Sequence, residues 1–285
     1  MTNNKHIEEQ EKELFSQAKP AYSKSKEDVW SAMEKTITED HTVLEKNKRT
    51  VRLTWMKYAA AASILLLVGL GLFARFYTLT IEVPTGETSQ HKLPDGSIVY
   101  LNAETSIDYH PYWWSFNREV ELDGEAFFEV EKGESFSVLS SMGSVEVLGT
   151  SFNIYNRDQT YTVYCKTGKV RVQNQHANEV ILKPGQVTNA ESLARQTTAD
   201  LNSEQIMSWR LNKFLYNTTP LTKVLEDFER HYGIRIDVQM NNINELHYTG
   251  LFKRDIGAEK ALEIVSFSFD LIIEKTEENT YLVKQ

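Results

Sequence analysis

The sequence contains almost no cysteine. Cys165 is the single cysteine among 285 residues, so an internal disulfide cannot form. Structural zinc sites need grouped cysteine and histidine ligands, and the seven histidines are scattered along the chain without such pairs. The folded parts must therefore be stabilised by packing alone, and neither a metal nor another cofactor is expected.

The long C-terminal part also lacks an excess of positive charge. Residues 81–285 contain 19 lysines and arginines against 30 aspartates and glutamates, whereas residues 1–57 contain 11 against 10. Nucleic-acid binding requires clustered cations that neutralise phosphates. A region with this acidic balance is not expected to bind nucleic acid.

Motifs of catalytic sites are missing as well. No histidine lies in an HExxH context, and no G-x-S-x-G nucleophile motif occurs. Paired carboxylates can cleave glycosides, but the acids of residues 121–131 alternate with apolar residues, as the solvent-facing side of a strand does. We expect all of these acids to face solvent, predict no catalytic residues, and do not expect an enzyme. The acids are Glu121, Asp123, Glu125, Glu129 and Glu131.

One run of the sequence lacks charge altogether. No charged residue occurs from Tyr58 to Ala74, and Lys57 and Arg75 bracket the run. A membrane-crossing helix needs about 20 apolar residues, a length that flanking aromatic and cationic side chains can complete. A signal peptide would lie at the N-terminus, and a buried core helix would carry a polar stripe. The run therefore predicts a single transmembrane helix over residues 58–76.

Cations lie mainly before this predicted span. Five lysines and arginines occur in residues 46–57, whereas only Arg75 follows the span before Lys92. Cytoplasmic flanks of membrane helices are enriched in lysine and arginine. We therefore expect a cytoplasmic N-terminus and, in a Gram-negative cell, a span in the inner membrane with the C-terminal part in the periplasm.

Two short amphipathic helices are predicted within residues 1–57. The first covers residues 7–18, and the second begins near Ser25, where Asp28 completes a capping box. A segment with so few large apolar residues can hardly bury its own core, so its apolar faces either bind a partner or pack on each other. Both alternatives are open on the residue pattern. The faces include Leu14, Phe15, Val29, Trp30, Met33 and Ile37.

Residues 80–190 have the pattern of an all-β domain. Turn signals such as Leu93–Gly96 and Thr167-Gly168 separate short apolar runs, and no helical period occurs between them. This pattern indicates a sandwich, barrel or coil of short strands. The predicted strands are 97–101, 119–122, 125–131, 145–148, 151–155, 161–166 and 169–173, with a break at Asp123-Gly124.

Residues 205–285 have a different pattern. Thr219-Pro220 marks the start of a helix that Gly233 ends, and further strands and a second helix follow. The predicted order is β-α-β-β-α-β-β. Such an order is typical of a compact two-layer α+β domain.

Four segments of the predicted all-β region form an ordered set of motifs. They read VPTGE, LPDGSIVYLN, REVELDGEAFFEV and VLGTSFN, at Val83–Glu87, Leu93–Asn102, Arg118–Val130 and Val147–Asn153. This set resembles the periplasmic domain of FecR-type anti-sigma factors. The stretch from Trp209 to Gly233 resembles the C-terminal domain of that family, which is similar to the secretin/TonB short N-terminal fold. Residues 23–30 resemble the cytoplasmic segment of its shorter-tailed members.

The resemblance implies a mixed fold and a regulatory function. Residues 1–57 would bind an extracytoplasmic-function sigma factor through the two apolar faces, the span would lie in inner-membrane lipid, and the periplasmic part would respond to the signalling domain of an outer-membrane TonB-dependent transducer. Small sheets expose unpaired edges to which a partner strand can be added. Our candidate edge for the transducer is the strand Tyr281, Leu282 and Val283.

Other functions and mechanisms stay open at this stage. Gly69 and Gly71 weaken the spanning helix, which would ease cleavage by an intramembrane protease, although glycine is common in such helices. A membrane-anchored glycan-binding or scaffolding protein is the main alternative function. A periplasmic hydrolase that uses the strand carboxylates is a further one.

Overall fold

The computed structural model of the chain describes residues 4–17, 24–189, 196–197, 203–240 and 242–285. Side chains are described for residues 8–17, 24–38, 55–189, 203–240 and 242–285. By its contacts the chain divides into two compact parts, Met1–Leu70, which we call the N-terminal unit, and Gly71–Gln285. The last residues of the predicted helix 7–18 and of the predicted domain 80–190 lie outside the described residues.

The N-terminal unit is helical. Helix α1 covers Asn4–Gln17, and helix α2 begins at Lys26. The predicted capping box is confirmed, because the backbone N–H of Asp28 donates to Ser25 Oγ (3.1 Å) and the backbone N–H of Ser25 donates to Asp28 Oδ2 (3.2 Å). Helix α2 is longer than the predicted second helix, since it continues to Phe76 through the predicted span.

The apolar part of α2 has the properties of a membrane span. Within the described ranges, one helical stretch is long and apolar enough to cross a membrane, namely Trp55–Phe76, with 22 residues and a mean hydropathy of 2.0. The helix passes through Gly69 and Gly71 without interruption, and a Cβ added at either glycine would meet nothing within 4 Å. This stretch contains the predicted span 58–76.

The next region is rich in β-strands, as predicted. Most of its strands form one hydrogen-bonded system in which β5 is central. The strands are β1 (Leu79–Val83), β2 (Ser89–Lys92), β3 (Ile98–Leu101), β4 (Thr105–Tyr109), β5 (Arg118–Glu129), β6 (Phe136–Ser140), β7 (Gly143–Val147), β8 (Ser151–Arg157), β9 (Thr160–Thr167), β10 (Val170–Asn174), β11 (Glu179–Leu182), β12 (Gln186–Asn189) and β13 (Gln196–Thr197). We call residues 79–189 the β domain.

Strand β5 joins two sheets instead of breaking into two strands. Its first half pairs with β4 and β6, and its second half, from Gly124, pairs with β3 and β8. Gly124 has φ +112°, and a Cβ there would lie 2.8 Å from the Cα of Thr105. The predicted break at Asp123-Gly124 is therefore wrong: glycine allows the strand to bend and change sheets without ending. Between the two sheets lies an aromatic core in which Phe128 stacks on Phe152 at 5.1 Å.

Residues 203–285, which we call the C-terminal unit, have the predicted β-α-β-β-α-β-β order after a short helix. Two sheets form, one from β14 and β16 and one in the order β15-β18-β17, and the core includes Leu221, Phe228 and Leu262. The elements are α3 (Ser203–Met207), β14 (Lys213–Pro220), α4 (Leu221–Tyr232), β15 (Arg235–Gln239), β16 (His247–Lys253), α5 (Ala258–Phe267), β17 (Ile272–Glu277) and β18 (Thr280–Lys284), with single 3-10 turns at Ser208–Leu211, Ile243–Glu245 and Arg254–Ile256.

The predicted edge strand is not an edge. Tyr281, Leu282 and Val283 lie in β18, which pairs in parallel with β15 on one side and antiparallel with β17 on the other. Both rows of backbone hydrogen-bonding groups are therefore used within the domain, and Tyr281 and Val283 are buried. The prediction fails because the last strand inserts between two earlier ones, which leaves β15 and β17 as the edges of this sheet.

Candidate functional site

The predicted sigma-binding side chains are exposed on the two N-terminal helices. Trp30 exposes 68% of its surface, and the other members of the set, Leu14, Phe15, Val29, Met33 and Ile37, are exposed as well. Removal of such side chains from water is favourable, by about 1.5–3 kcal/mol for each large one. Because their surfaces are free, packing of the two helices on each other does not account for the apolar faces. The set is our candidate protein-binding surface.

The strand acids mostly face solvent, but Glu125 does not. Glu121, Asp123 and Glu131 are exposed and Glu129 is half-buried, whereas Glu125 is buried. The expectation for Glu125 is wrong because the C-terminal unit covers the second half of β5 on the face that would otherwise be solvated. The sequence signal is the continuous run Gly124–Phe128, which is buried on both faces.

The Glu125 carboxylate lies in a polar network. Asn102 Nδ2 donates to its Oε2 at 2.7 Å, and Asn153 Nδ2 donates to its Oε1 at 3.1 Å. Burial raises the pKa of Glu125, while the guanidinium of Arg157 and the two amide donors act against that rise. The amide of Asn102 also reaches the C-terminal unit, because Arg254 Nη1 donates to its Oδ1 at 3.4 Å.

Arg210 forms a second contact between the β domain and the C-terminal unit. Its guanidinium carbon lies 3.5 Å from the ring centroid of Tyr100 and 4.4 Å from that of Phe127. Its Nη1 also pairs with Glu129 Oε1 at 3.3 Å. The neighbouring Trp209 donates from Nε1 to Asn153 Oδ1 at 3.3 Å. One cation is thus held by two aromatic faces and a carboxylate, a combination that favours arginine over lysine.

Helix α4 supplies the third group of contacts. Lys223 Nζ donates to the Tyr155 hydroxyl at 2.6 Å, and Arg230 pairs with Asp158 at 3.4 Å. The carbonyl of Arg230 also accepts from the backbone N–H of Gly86 at 2.7 Å. We refer to the contacts of Glu125, Arg210 and α4 together as the junction. The junction contacts are mainly charged and polar, so a bound protein that brings its own charge or changes the access of water can strengthen or weaken them.

A cavity of about 410 Å³ lies at the junction. Both domains line it, with side chains that include Glu125, Asn153, Trp209, Lys223 and Arg254. In the parts of the chain that the structure describes, no group of three or more histidine, cysteine, aspartate or glutamate side chains could hold a metal ion. Burial raises the pKa of Cys165 to about 11, so this thiol is not a thiolate near neutral pH.

Comparisons with known proteins agree with the motifs. The family described as FecR protein matches residues 79–171, and the family described as FecR, C-terminal matches residues 213–283, so the two matches cover more than half of the chain. A comparison with curated protein sequences found no match.

Two solved structures are similar to the chain. Both are crystal structures of a candidate anti-sigma factor from Parabacteroides distasonis ATCC 8503, one at 2.50 Å and one at 1.65 Å. The first has 28% identity and a TM-score of 0.65, and the match covers 73% of this chain and 99% of that chain. The second has 29% identity and a TM-score of 0.63, and covers 72% and 98%. The ordered motifs, the two family matches and these structures agree, and the chain belongs to the FecR-type anti-sigma factor family.

Proposed function

We propose that the chain binds an extracytoplasmic-function sigma factor through the apolar faces of α1 and α2 and releases or activates it on a signal received across the membrane. The observation that carries this proposal is the exposed set that contains Phe15 and Trp30 on an N-terminal unit without a described core of its own. An aromatic side chain that becomes fully buried at an interface commonly contributes 2 kcal/mol or more to binding. Trp30 is the largest member of the set and the best candidate for such a contact.

A pull-down of the cell's sigma factors with the full chain in detergent tests this proposal. The Trp30→Ala variant should weaken sigma binding about 30-fold, which corresponds to about 2 kcal/mol. Lys35→Ala is the matched control, because Lys35 lies on the opposite side of the same helix at 100° per residue. Equal affinities for wild type, Trp30→Ala and Lys35→Ala would refute the sigma-binding surface.

We further propose that the span lies in the inner membrane with the N-terminus in the cytoplasm. The helix Trp55–Phe76 and the excess of cations before it support this orientation. Protease treatment of intact spheroplasts should digest residues 90–285 and leave residues 1–50 intact. The reverse pattern of digestion would contradict the orientation.

We propose that the C-terminal unit receives the signal from the signalling domain of an outer-membrane TonB-dependent transducer. Its strand order and the resemblance to the secretin/TonB short N-terminal fold support this role. Since β18 is central, strand addition at this sheet would use β15 or β17, where Val238 and Ile272 are exposed. A reporter gene that depends on the sigma factor should lose its response to inducer when residues 205–285 are deleted, and an unchanged response would refute this part.

A further inference from the structure

The loop between β4 and β5 is rich in aromatic residues. It reads HPYWWSFN from His110 to Asn117 and is closed by two turns, in which the backbone N–H of Trp113 donates to the carbonyl of His110 (3.2 Å) and that of Phe116 to the carbonyl of Trp113 (2.9 Å). Trp114 is buried and anchors the loop, with its ring edge-on to Tyr109 at 5.5 Å. The anchor fixes the loop on the β domain.

The other aromatic side chains of this loop point away from the core. Tyr112 exposes 62% of its surface and Phe116 exposes 76%. Trp113 is half-buried and lies against Phe116, with ring centroids 4.6 Å apart. Three large aromatic rings in five residues are therefore held at the surface by a fourth that is buried. Such a patch is expensive in water unless another phase or a partner covers it.

This loop lies against the end of the apolar helix. The Tyr112 ring is 6.0 Å from Phe73 and 5.3 Å from Tyr77. The Arg75 guanidinium lies 5.7 Å from the ring of Trp113 and 5.6 Å from that of Phe76.

The backbone is tied at the same place. His110 Nδ1 lies 3.0 Å from the Tyr77 carbonyl and 3.3 Å from Thr78 Oγ1. The loop and the last turn of the helix thus form one aromatic cluster, which we call the collar: Phe73, Phe76, Tyr77, Tyr112, Trp113 and Phe116.

We propose that the collar inserts into the headgroup region of the lipid bilayer and holds the β domain on the membrane surface. Lipid is the expected partner because the collar is continuous with the span: the apolar helix ends at Phe76, and the loop contacts its last turn. Tryptophan and tyrosine prefer the membrane interface, where the ring is partly apolar and the polar group reaches water. Residues 70–79 and 109–118 contain no acidic residue, so nothing in these segments repels anionic lipid.

The collar would also fix the position of the β domain and the C-terminal unit relative to the membrane. Strands β1 and β4 are antiparallel: β1 starts and β4 ends at the collar, where Leu79 lies opposite Tyr109, and their other ends lie beside the C-terminal unit, where Val83 lies opposite Thr105. The four steps between the first and fifth residues of a strand span about 13 Å, at about 3.3 Å per step. With the collar in the interface, the C-terminal unit lies in water beyond the membrane surface and the domain cannot swivel freely on a single helix.

Spin-label accessibility of the full chain in vesicles of phosphatidylcholine and phosphatidylglycerol tests the collar. Single nitroxide labels at Tyr112→Cys and Phe116→Cys should show a higher ratio of collisions with oxygen to collisions with a water-soluble nickel chelate than a label in water does. The matched control Phe267→Cys, which is 86% exposed on the C-terminal unit, should show the ratio of a label in water. The native Cys165 is buried, and labelling of the unmodified chain measures its background.

The proposal rests on the membrane span, so Val68→Cys in the apolar helix serves as a depth reference. If Val68 is in the bilayer and both loop positions behave like Phe267, the collar is refuted while the span stands. If Val68 also behaves as an aqueous site, the span fails and the collar with it.

Brominated lipids provide a readout that needs no label in the loop. Trp113→Phe should reduce the part of the tryptophan emission that these lipids quench, whereas Trp209→Phe, at the junction, should leave the quenched part unchanged. The proposal would be overturned if both variants lost the same quenched emission, or if neither variant lost any.

Discussion

Arg210 should be a principal attachment of the C-terminal unit to the β domain. The Arg210→Ala variant removes a guanidinium that faces the rings of Tyr100 and Phe127 and pairs with Glu129. Cation–π contacts in a partly desolvated site contribute about 1–2 kcal/mol. The ion pair adds no more than about 1 kcal/mol, because the Glu129 side chain is 38% exposed and solvent screens it. We therefore expect a loss of about 2 kcal/mol in the free energy of unfolding.

Urea denaturation of the full chain in detergent, followed by near-UV circular dichroism, measures this loss. With a slope of about 2–3 kcal/mol per molar urea, the midpoint should fall by about 1 M. Arg210→Lys keeps the charge but loses the planar contact with the rings, so its midpoint should lie between those of wild type and Arg210→Ala.

Arg235→Ala is the matched control for this experiment. Arg235 pairs with Asp237 on the surface of the same unit, and its side chain is 75% exposed. Its removal should cost less than about 0.5 kcal/mol. If Arg210→Ala and Arg235→Ala shift the midpoint equally, the junction does not depend on Arg210 and the reasoning is wrong.

Two further predictions concern a buried histidine and a bent strand. Burial and the charge of Arg254 lower the pKa of His231 from 6.5 to about 4. Between pH 6.5 and pH 4 the unfolded chain therefore binds a proton that the folded chain does not. The free energy of unfolding should fall by about 1–2 kcal/mol as pH drops from 7 to 4.5. His231→Gln should flatten that pH dependence in thermal denaturation, and an unchanged slope would contradict the assignment. Gly124→Ala should cost about 2–4 kcal/mol, because positive φ and a 2.8 Å approach to Thr105 Cα act together. Gly257→Ala, where φ is +85° but nothing lies within 4 Å, should cost only about 1–2 kcal/mol, and equal losses would show that packing at Gly124 is not the cause.

Local patterns predict the features that local interactions determine. The capping box at Ser25 and Asp28 needs four consecutive residues and is present. The order of elements in the C-terminal unit follows from periodicity and from stops such as Gly233, which has the left-handed conformation expected at a helix end. The exposed apolar set on α1 and α2 follows from the helical period together with the small size of that segment.

Features that depend on distant parts of the chain are not predicted. The central place of β18 depends on strand order, which the pattern of one strand does not contain. Glu125 is buried because another domain covers β5, although alternation in the strand itself assigns it to solvent. Asp123-Gly124 is a dipeptide typical of a turn, but Gly124 is a bend within one strand because β5 is paired with β4 before it and with β8 from it onward.

The junction and the collar are connected through two short strands. At the far end of β4, Thr105 Oγ1 accepts from the backbone N–H of Glu125 at 3.1 Å and from Arg157 Nη2 at 2.9 Å. At the near end, Tyr109 is followed by the loop that contacts the apolar helix. A partner that loosens the junction would therefore alter the support of β4 at one end while lipid holds it at the other. If this connection carries the signal, Arg210→Ala should raise sigma-dependent reporter activity without inducer, whereas Arg235→Ala should not, and equal basal activity in both would separate the junction from signalling.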